Sequence, residues 1–195
     1  MATARNRKES GTAERVLDIA ERLVQIRGFS NFSYADIATE LGITKASLHY
    51  HFPGKAELGQ ALITRYSERF DQALHDIDRD LPNAHSKLEA YADLYAGVLR
   101  NERMCMCGIL AAEYQTLPDA MRSEVIRFFD ENQKWLAKVL KEGKRDRTLT
   151  FSGRAEDVAQ GILSTLEGAM LVARPYGDLT RFNATSRQLL AGLTA

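Results

Sequence analysis

A run of hydrogen-bonding side chains between residues 44 and 55 is the part of this sequence best suited to chemistry. It reads TKASLHYHFPGK. Hydroxyl, imidazole and ammonium groups donate and accept hydrogen bonds at base edges and phosphate oxygens. They surround one apolar anchor, Leu48, so a short helix here would hold one side inside the protein and expose the other. A helix of that kind fits the major groove of DNA.

The residues around this run predict helices that hold it in place. Ser33 and Asp36 have the spacing of a capping box. Gly42 supplies the positive φ that a sharp turn needs, and Thr44 can cap the helix that follows. The pattern is typical of a helix-turn-helix. Its predicted helices are Thr12–Arg27, Tyr34–Leu41 and Lys45–His51.

Candidate DNA contacts fall into three groups by position. The groove face of the third helix is predicted to carry Thr44, Lys45, Ser47 and His49, with Tyr50 and His51 at flanking phosphates. Phosphate sites are predicted at the start of the fourth helix, with Lys55, and at the start of the second, with Ser33 and Tyr34. The basic tail of Arg5, Arg7 and Lys8 could lie along the DNA or be disordered. The alternative is a structural three-helix unit whose polar residues are simply solvated.

The rest of the chain is predicted to be helical, which gives an all-α protein of about nine helices. A three-helix DNA-binding domain over residues 1–54 is followed by a larger bundle over 55–195 that binds ligand and dimerises. The helix beginning at Lys55 is long enough to belong to both. The further predicted helices are Lys55–Asp78, Ala84–Arg100, Met104–Gln115, Pro118–Glu142, Arg154–Arg174 and Thr180–Leu193.

Composition narrows the class of protein. The 195 residues are 45% hydrophobic and carry 26 basic and 26 acidic side chains, so DNA affinity must come from a few placed contacts rather than bulk charge. Two cysteines do not form a disulfide framework, and no run approaches the ~20 apolar residues of a membrane span. The first eight residues lack the apolar core of a signal peptide, so we expect a cytoplasmic protein with no membrane contact.

These residues carry a family resemblance. Ala38, Gly42 and Leu48, the run SLHYHF and then Lys55 and Leu58 resemble the N-terminal signature of the tetracycline-repressor-like (TetR) regulators. The resemblance covers about residues 13–62. It implies a homodimer on a pseudo-palindromic operator, usually a repressor released by a small molecule. His49 departs from the pattern, because the family usually has Tyr there.

The helix at 154–174 is unusually rich in small residues, which let two helices approach closely. With the last helix it could form a four-helix interface between two copies, as the resemblance implies. The same faces could instead pack within one subunit. The predicted interface residues are Val158, Ile162, Thr165, Leu166, Ala169, Phe182, Leu189, Leu190 and Leu193.

Aromatic and thioether side chains of the middle helices predict a pocket for a small, largely apolar or aromatic effector. Each one alone could equally be core. Glu113 stands out as a carboxylate in an apolar run, which would need a partner or a donor-bearing ligand if buried. The predicted lining is Tyr66, Phe70, Tyr91, Tyr95, Met106, Cys107, Leu110, Glu113, Tyr114, Phe128, Trp135 and Met170.

Cys105 and Cys107 leave an alternative open, in which a thiol senses oxidants or electrophiles. Residues two apart on a helix face different sides, so the two thiols cannot bridge each other there. A reactive thiol also needs a lowered pKa. We find no catalytic carboxylate pair, phosphate-cradling loop or metal-ligand spacing, and expect neither an enzyme nor a metal or other cofactor.

Overall fold

The computed structural model describes residues 2–193, with side chains from residue 11 onward. In that range the chain forms nine α-helices and two short 3-10 helices, which confirms the all-α prediction. The α-helices are α1 (Ala2–Arg27), α2 (Tyr34–Leu41), α3 (Lys45–His51), α4 (Lys55–Asp80), α5 (Ala84–Arg100), α6 (Met106–Ala112), α7 (Asp119–Arg145), α8 (Ala155–Ala173) and α9 (Thr180–Ala191). The side chains of Arg5, Arg7 and Lys8 lie outside the described residues, so the predicted role of the tail stays a prediction.

The predicted caps of α2 and α3 are present. The backbone N–H and the hydroxyl of Ser33 both donate to Asp36 Oδ2 at 2.7 Å. Gly42 has φ of 67° at the end of α2, and this left-handed conformation turns the chain sharply toward α3. Thr44 Oγ1 accepts from the N–H of Ser47 at 3.2 Å. Local chemistry therefore sets the angle at which α3 leaves α2.

Helix ends differ from the sequence prediction in two places that matter below. The predicted helix Met104–Gln115 is shorter, because α6 ends at Ala112 and a 3-10 helix covers Tyr114–Thr116. In the other direction, α7 continues through Gly143 to Arg145, although the helix was predicted to end at Glu142. Gly143 is buried against Leu149, and a Cβ there would overlap that side chain. Close packing explains a glycine inside a helix here.

The long helix α4 belongs to both parts of the molecule. Arg65 on α4 donates to Asp18 at 2.8 Å and to Glu21 at 3.1 Å, both on α1. Arg69, one turn further along, also donates to Glu21 at 2.6 Å. Helix α4 also packs on α5 and α7 of the larger bundle. A rotation of the first three helices must therefore move α4 or break these ion pairs.

The larger bundle is built around α7 and α8. Both α7 and α9 pack along α8. The N–H of Thr150 donates to the Leu193 carbonyl at 2.8 Å, which ties the loop after α7 to the residues that follow α9. None of the described helices is both long and apolar enough to span a bilayer. In the same residues, no cluster of three or more His, Cys, Asp or Glu side chains is placed to hold a metal ion.

Candidate nucleic-acid interface and effector site

Helix α3 is anchored by one side chain and exposes most of the others. Leu48 is fully buried, whereas Thr44, Lys45 and His49 are exposed and Tyr50 is 70% exposed. Ser47 and His51 are half-buried. The structure thus brings most of the predicted groove-facing residues onto an accessible surface of one short helix, the arrangement that base reading requires.

Tyr34 and His49 form a support beneath that surface. The Tyr34 hydroxyl donates toward the carbonyl oxygens of Phe52, at 2.9 Å, and Gly54, at 2.6 Å. Burial, with help from the charge of Glu57, raises the pKa of Tyr34 to about 12. The His49 ring packs against Tyr34 with 4.7 Å between centroids. Tyr34 therefore works first as a brace between α2 and the turn before α4.

Lys55 points inward, which revises its predicted role as a phosphate clamp. Its ammonium donates to the Phe32 carbonyl at 2.6 Å and lies over the Phe29 and Phe32 rings, 4.9 and 4.4 Å from their centroids. Burial lowers the pKa of Lys55, while Glu113 and Asp36 oppose the shift. In this conformation Lys55 ties α4 to the turn between α1 and α2, and a phosphate would compete with the Phe32 carbonyl.

The predicted phosphate site at Ser33 is likewise occupied by the protein's own carboxylate. Asp36 Oδ2 accepts from both donors of Ser33, and those hydrogen bonds lower the pKa of Asp36. A phosphate approaching the start of α2 would meet that negative charge. The exposed side chains of α3 are thus the better supported DNA contacts.

Six of the predicted effector contacts come together in the larger bundle, and we call them the aromatic interior. They are Tyr66, Phe70, Tyr91, Tyr95, Phe128 and Trp135. Phe70 lies at the centre, with its ring centroid 5.2 Å from Phe128 and 6.0 Å from Tyr95. Trp135 stacks on Tyr91 at 5.5 Å with 20° between the ring planes. Met106, Cys107, Leu110 and Met170 are fully buried in the same core.

Polar groups run through this aromatic interior. The Tyr91 hydroxyl donates to Asn132 Oδ1 at 3.0 Å and lies 3.0 Å from the Tyr95 hydroxyl. The Tyr66 hydroxyl donates to Cys105 Sγ at 3.6 Å. Buried hydroxyls and thiols cost stability unless they are paired. An interior with this many of them is suited to hydrogen-bonding a ligand as well as to packing.

Glu167 on α8 was missed by the sequence analysis. Its Oε1 is buried without a hydrogen-bond partner among the described residues. A Cβ on Gly108 would overlap Glu167 Oε2, so the glycine leaves room for the carboxylate. Burial raises the pKa of Glu167 to about 7, against the opposing hydrogen bond from Cys105. The sequence did contain a signal that could have drawn attention to this residue, because Glu167 is the only charged residue between Val158 and Ala173.

Both cysteines are buried and lie close to this carboxylate. Burial, together with the charge of Glu167, raises the pKa of the Cys105 and Cys107 thiols well above the ordinary value. The shift is opposite to that of a reactive thiolate. In this conformation the geometry supports the thiol-sensor alternative at neither cysteine.

Glu113 and Tyr114 lie outside the aromatic interior, contrary to the predicted lining. Glu113 Oε2 accepts from the backbone N–H and from the hydroxyl of Ser30, both at 2.8 Å. Gly28, with φ of 88°, allows this approach, since a Cβ there would overlap Glu113 Oε1. The guanidinium of Arg122 lies 5.6 Å from the Tyr114 ring. Glu113 thus finds its partner in the DNA-binding part of the chain.

Residues 104–113, here called the junction segment, connect the two parts. At its start the N–H of Met104 donates to the Gln25 carbonyl at 3.2 Å, and at its end Glu113 holds Ser30. Between them Cys105 and Gly108 contact Glu167. Arg174, just after α8, adds a hydrogen bond to the Ile26 carbonyl. Motion of this segment therefore reaches the end of α1 directly.

The predicted dimer residues are mostly committed to the chain's own core. Six are at most 8% exposed, because α8 packs against α7 and α9 of the same chain: Ile162, Leu166, Ala169, Phe182, Leu190 and Leu193. Val158, Thr165 and Leu189 are half-buried. The other side of the helix presents a different set, here called the α8 stripe. It consists of the exposed residues Gly161, Ser164, Gly168, Leu171 and Val172.

Three open clefts lie on the surface of the bundle, away from the aromatic interior. The largest, of about 730 Å³, follows α7 from Asp130 to Arg145. One of about 650 Å³ lies between α5 and α9, beside His85 and Arg187. One of about 470 Å³ adjoins Arg103 and Arg174. None of these three clefts is lined by the six residues of the aromatic interior.

The comparisons with known proteins agree with this architecture. Residues 16–62 match the family described as bacterial regulatory proteins, tetR family, and residues 84–189 match the tetracyclin repressor-like C-terminal domain. A TetR-family regulator from Agrobacterium tumefaciens is 33% identical, with a TM-score of 0.92 over 96% of this chain and 100% of that one.

Two further relatives span nearly the same length. A TetR regulator from Legionella pneumophila is 32% identical, with a TM-score of 0.85 over 93% of this chain and 96% of that one. The HTH-type transcriptional repressor NemR of Escherichia coli is 25% identical over 85% of each chain. The helix-turn-helix and the helical bundle behind it both match, and the chain is therefore a DNA-binding transcriptional regulator that belongs to the TetR family.

Proposed function

We propose that the protein is a homodimeric repressor that leaves a pseudo-palindromic operator when a small, largely apolar or aromatic effector enters the aromatic interior. The observation that carries the proposal is the junction segment. It contacts Glu167 beside the aromatic interior and holds Gln25 and Ser30 of the DNA-binding part. A ligand that displaces this segment changes the position of α1 and, through α4, of α3.

Dimerisation supplies the geometry that such a switch needs. Two recognition helices read successive major grooves only when their centres are about 34–36 Å apart. We assign the contact to the α8 stripe, in which Leu171 and Val172 are 63% and 60% exposed. Gly161 and Gly168 have nothing within 4 Å of the position of a Cβ, so a second helix can approach closely there. Exposed apolar side chains beside small residues favour a helix–helix contact.

The proposed division of the chain is a DNA-binding domain over residues 1–54 and a ligand-binding and dimerisation domain over 55–195. The first helix of the second domain, α4, carries ion pairs to α1, so the two parts move together. A regulator acts where the chromosome lies, which in bacteria is the cytoplasm, and a cytoplasmic location is part of the proposal. Relatives named as regulators favour a binding protein over an enzyme.

The test begins with selection of duplexes from random DNA, followed by titration of the protein–DNA complex with aromatic compounds. We expect selected sites to be palindromic and at least one compound to weaken binding. Couplings of this kind are typically ~1–3 kcal/mol, or about 5–150-fold in affinity. Selected DNA sites that are not palindromic would contradict the proposal. So would a set of aromatic compounds of which none weakens DNA binding.

The role of the junction segment has its own test. Glu113→Ala removes the acceptor for Ser30, whereas Gln115→Ala, an exposed neighbour, serves as the matched control. We expect Glu113→Ala to bind effector as before but to lose most of the effector's influence on DNA affinity. Full coupling in Glu113→Ala would show that the signal takes another route.

A further inference from the structure

A carboxylate beside the aromatic interior has one oxygen that its neighbours among the described residues do not satisfy. Glu167 Oε1 is buried without a donor among the described residues. Burying an unpaired carboxylate is costly, and a protein usually supplies a donor or keeps the group on the surface. Gly108 gives the carboxylate its space, since a Cβ there would overlap Oε2. The backbone is thus adapted to hold an acid at this position.

The titratable groups whose pKa values respond to the charge of Glu167 are neutral and come from three elements. They are Cys105 and Cys107 beside and within α6, Tyr66 on α4, and Tyr91 and Tyr95 on α5. No lysine, arginine or histidine is among them. The Cys105 thiol is a weak donor. A full positive charge, if one is to reach this carboxylate, must come from a ligand.

The rings nearby suit the same kind of ligand. The negative faces of aromatic rings attract a cation within about 6 Å of their centroids. Phe70, Tyr91 and Tyr95 lie within 6.1 Å of one another by centroid, and Trp135 stacks on Tyr91. Their hydroxyls add hydrogen-bond acceptors. A carboxylate joined to Tyr66 through Cys105, and close enough to influence the pKa values of Tyr91 and Tyr95, is a combination that recognises an organic cation.

We propose that the effector is an arylalkylamine, whose ammonium group donates to Glu167 Oε1 while its ring replaces contacts within the aromatic interior. The proposal rests on the proposed function, because it names the ligand class of the same site. The rings pack against one another in this conformation, so side chains must move apart as the amine enters. Glu167 touches Gly108 of the junction segment, and the ammonium therefore binds where the segment starts to move.

The test uses 2-phenylethylamine and its neutral counterpart 2-phenylethanol. Trp135 is the only tryptophan in the chain, so its fluorescence reports binding directly. We expect the amine to bind at least tenfold more tightly than the alcohol. Glu167→Gln should reduce amine affinity about 10- to 100-fold, the usual effect of losing a charged hydrogen-bond partner, and leave the alcohol within threefold. Asp157→Asn, an exposed acid on the same helix, should change neither.

A pH series separates a direct role of the carboxylate from a structural one. The amine is charged throughout pH 5–8, so its affinity should rise with pH until Glu167 is ionised near pH 7, and Glu167→Gln should abolish that rise. Equal binding of amine and alcohol, an unchanged affinity in Glu167→Gln, or no binding of the amine would each overturn the proposal. Tight amine binding without release of DNA would instead contradict the proposed regulatory function and leave the ligand assignment intact.

Discussion

Helix α3 and the aromatic interior treat polar side chains in opposite ways. On α3 the hydrogen-bonding groups are exposed, and a single buried leucine, Leu48, fixes their position. In and beside the aromatic interior the tyrosine side chains and two thiols are buried, and Glu167 Oε1 is buried without a donor among the described residues. The first surface is ready to bind without rearrangement. In the second the rings pack against one another, so binding there must be accompanied by movement of side chains.

The largest effect that would sharpen this comparison comes from separating the two copies. Gly168→Glu places a charge on the α8 stripe, where the chain itself has open space. We expect a folded monomer in sedimentation and a loss of operator affinity of more than about 100-fold, because one half-site alone supplies too few contacts.

Lys134→Glu, at an exposed position on α7, is the control and should remain dimeric. A Gly168→Glu protein that stays dimeric would place the contact between copies elsewhere.

Substitutions at the two lysines test whether α3 alone reads the DNA. Lys45→Ala, on the exposed face, should change sequence preference by ~1–3 kcal/mol at the base that it contacts and leave stability unchanged. Lys55→Ala should instead lower the unfolding free energy by roughly 1–3 kcal/mol, since it removes the bond to Phe32 and the contacts with two rings.

Binding to a panel of single-base variants and urea unfolding at one protein concentration measure the two effects. If Lys55→Ala keeps full stability but weakens binding to every duplex equally, Lys55 is a phosphate contact after all.

The pH dependence of stability tests whether Glu167, beside the aromatic interior, is buried in the folded protein. The pKa of Glu167 is raised to about 7 from 4.5, so the folded protein binds this proton more tightly than the unfolded chain does. The contribution of this bound proton to the free energy of unfolding is fully present below pH 4.5 and is lost as the pH rises through about 7. The loss is roughly 1–3 kcal/mol.

Glu167→Gln should remove this decline, so that the variant becomes more stable than the parent at pH 8. Urea unfolding at pH 5 and pH 8, with protein concentration held constant, measures it. Parallel pH profiles for the two proteins would mean that Glu167 is hydrated in the folded state.

Cysteine reactivity gives the smallest expected signal. Because burial and Glu167 raise the pKa of both thiols, alkylation of the native protein by iodoacetamide at pH 7 should be at least tenfold slower than in urea. Mass spectrometry of both cysteine peptides follows the reaction. Fast native alkylation of Cys107 would reopen the thiol-sensor alternative.

Features were predictable from the sequence when the residues that produce them lie close together along the chain. The turn at Gly42, the cap at Thr44 and the anchor at Leu48 involve residues within a few positions of each other, and all three were predicted. The inward course of Lys55 was not, because it depends on the Phe32 carbonyl 23 residues earlier.

The longer-range errors have the same cause. Glu113 was assigned to the pocket from its apolar neighbours, but its partner, Ser30, lies 83 residues away. The small residues of α8 predicted a close contact between two copies, which stays a prediction, and periodicity alone could not say which face packs inside the chain. Ile162 and Leu166 took the inner face, and Gly161 and Gly168 the outer.

The contact of Glu113 with Gly28 and Ser30 restricts how parts of this protein can be recombined. A chimera that joins the first 54 residues to the bundle of another family member exchanges one side of that contact only. If the other protein's bundle lacks an acid at the position of Glu113, the Ser30 N–H loses its acceptor. In the reverse chimera, a residue larger than Gly28 in the other protein's DNA-binding domain would leave no room for Glu113. Engineered sensors built by such exchange should carry residues 28, 30 and 113 as one transplanted unit.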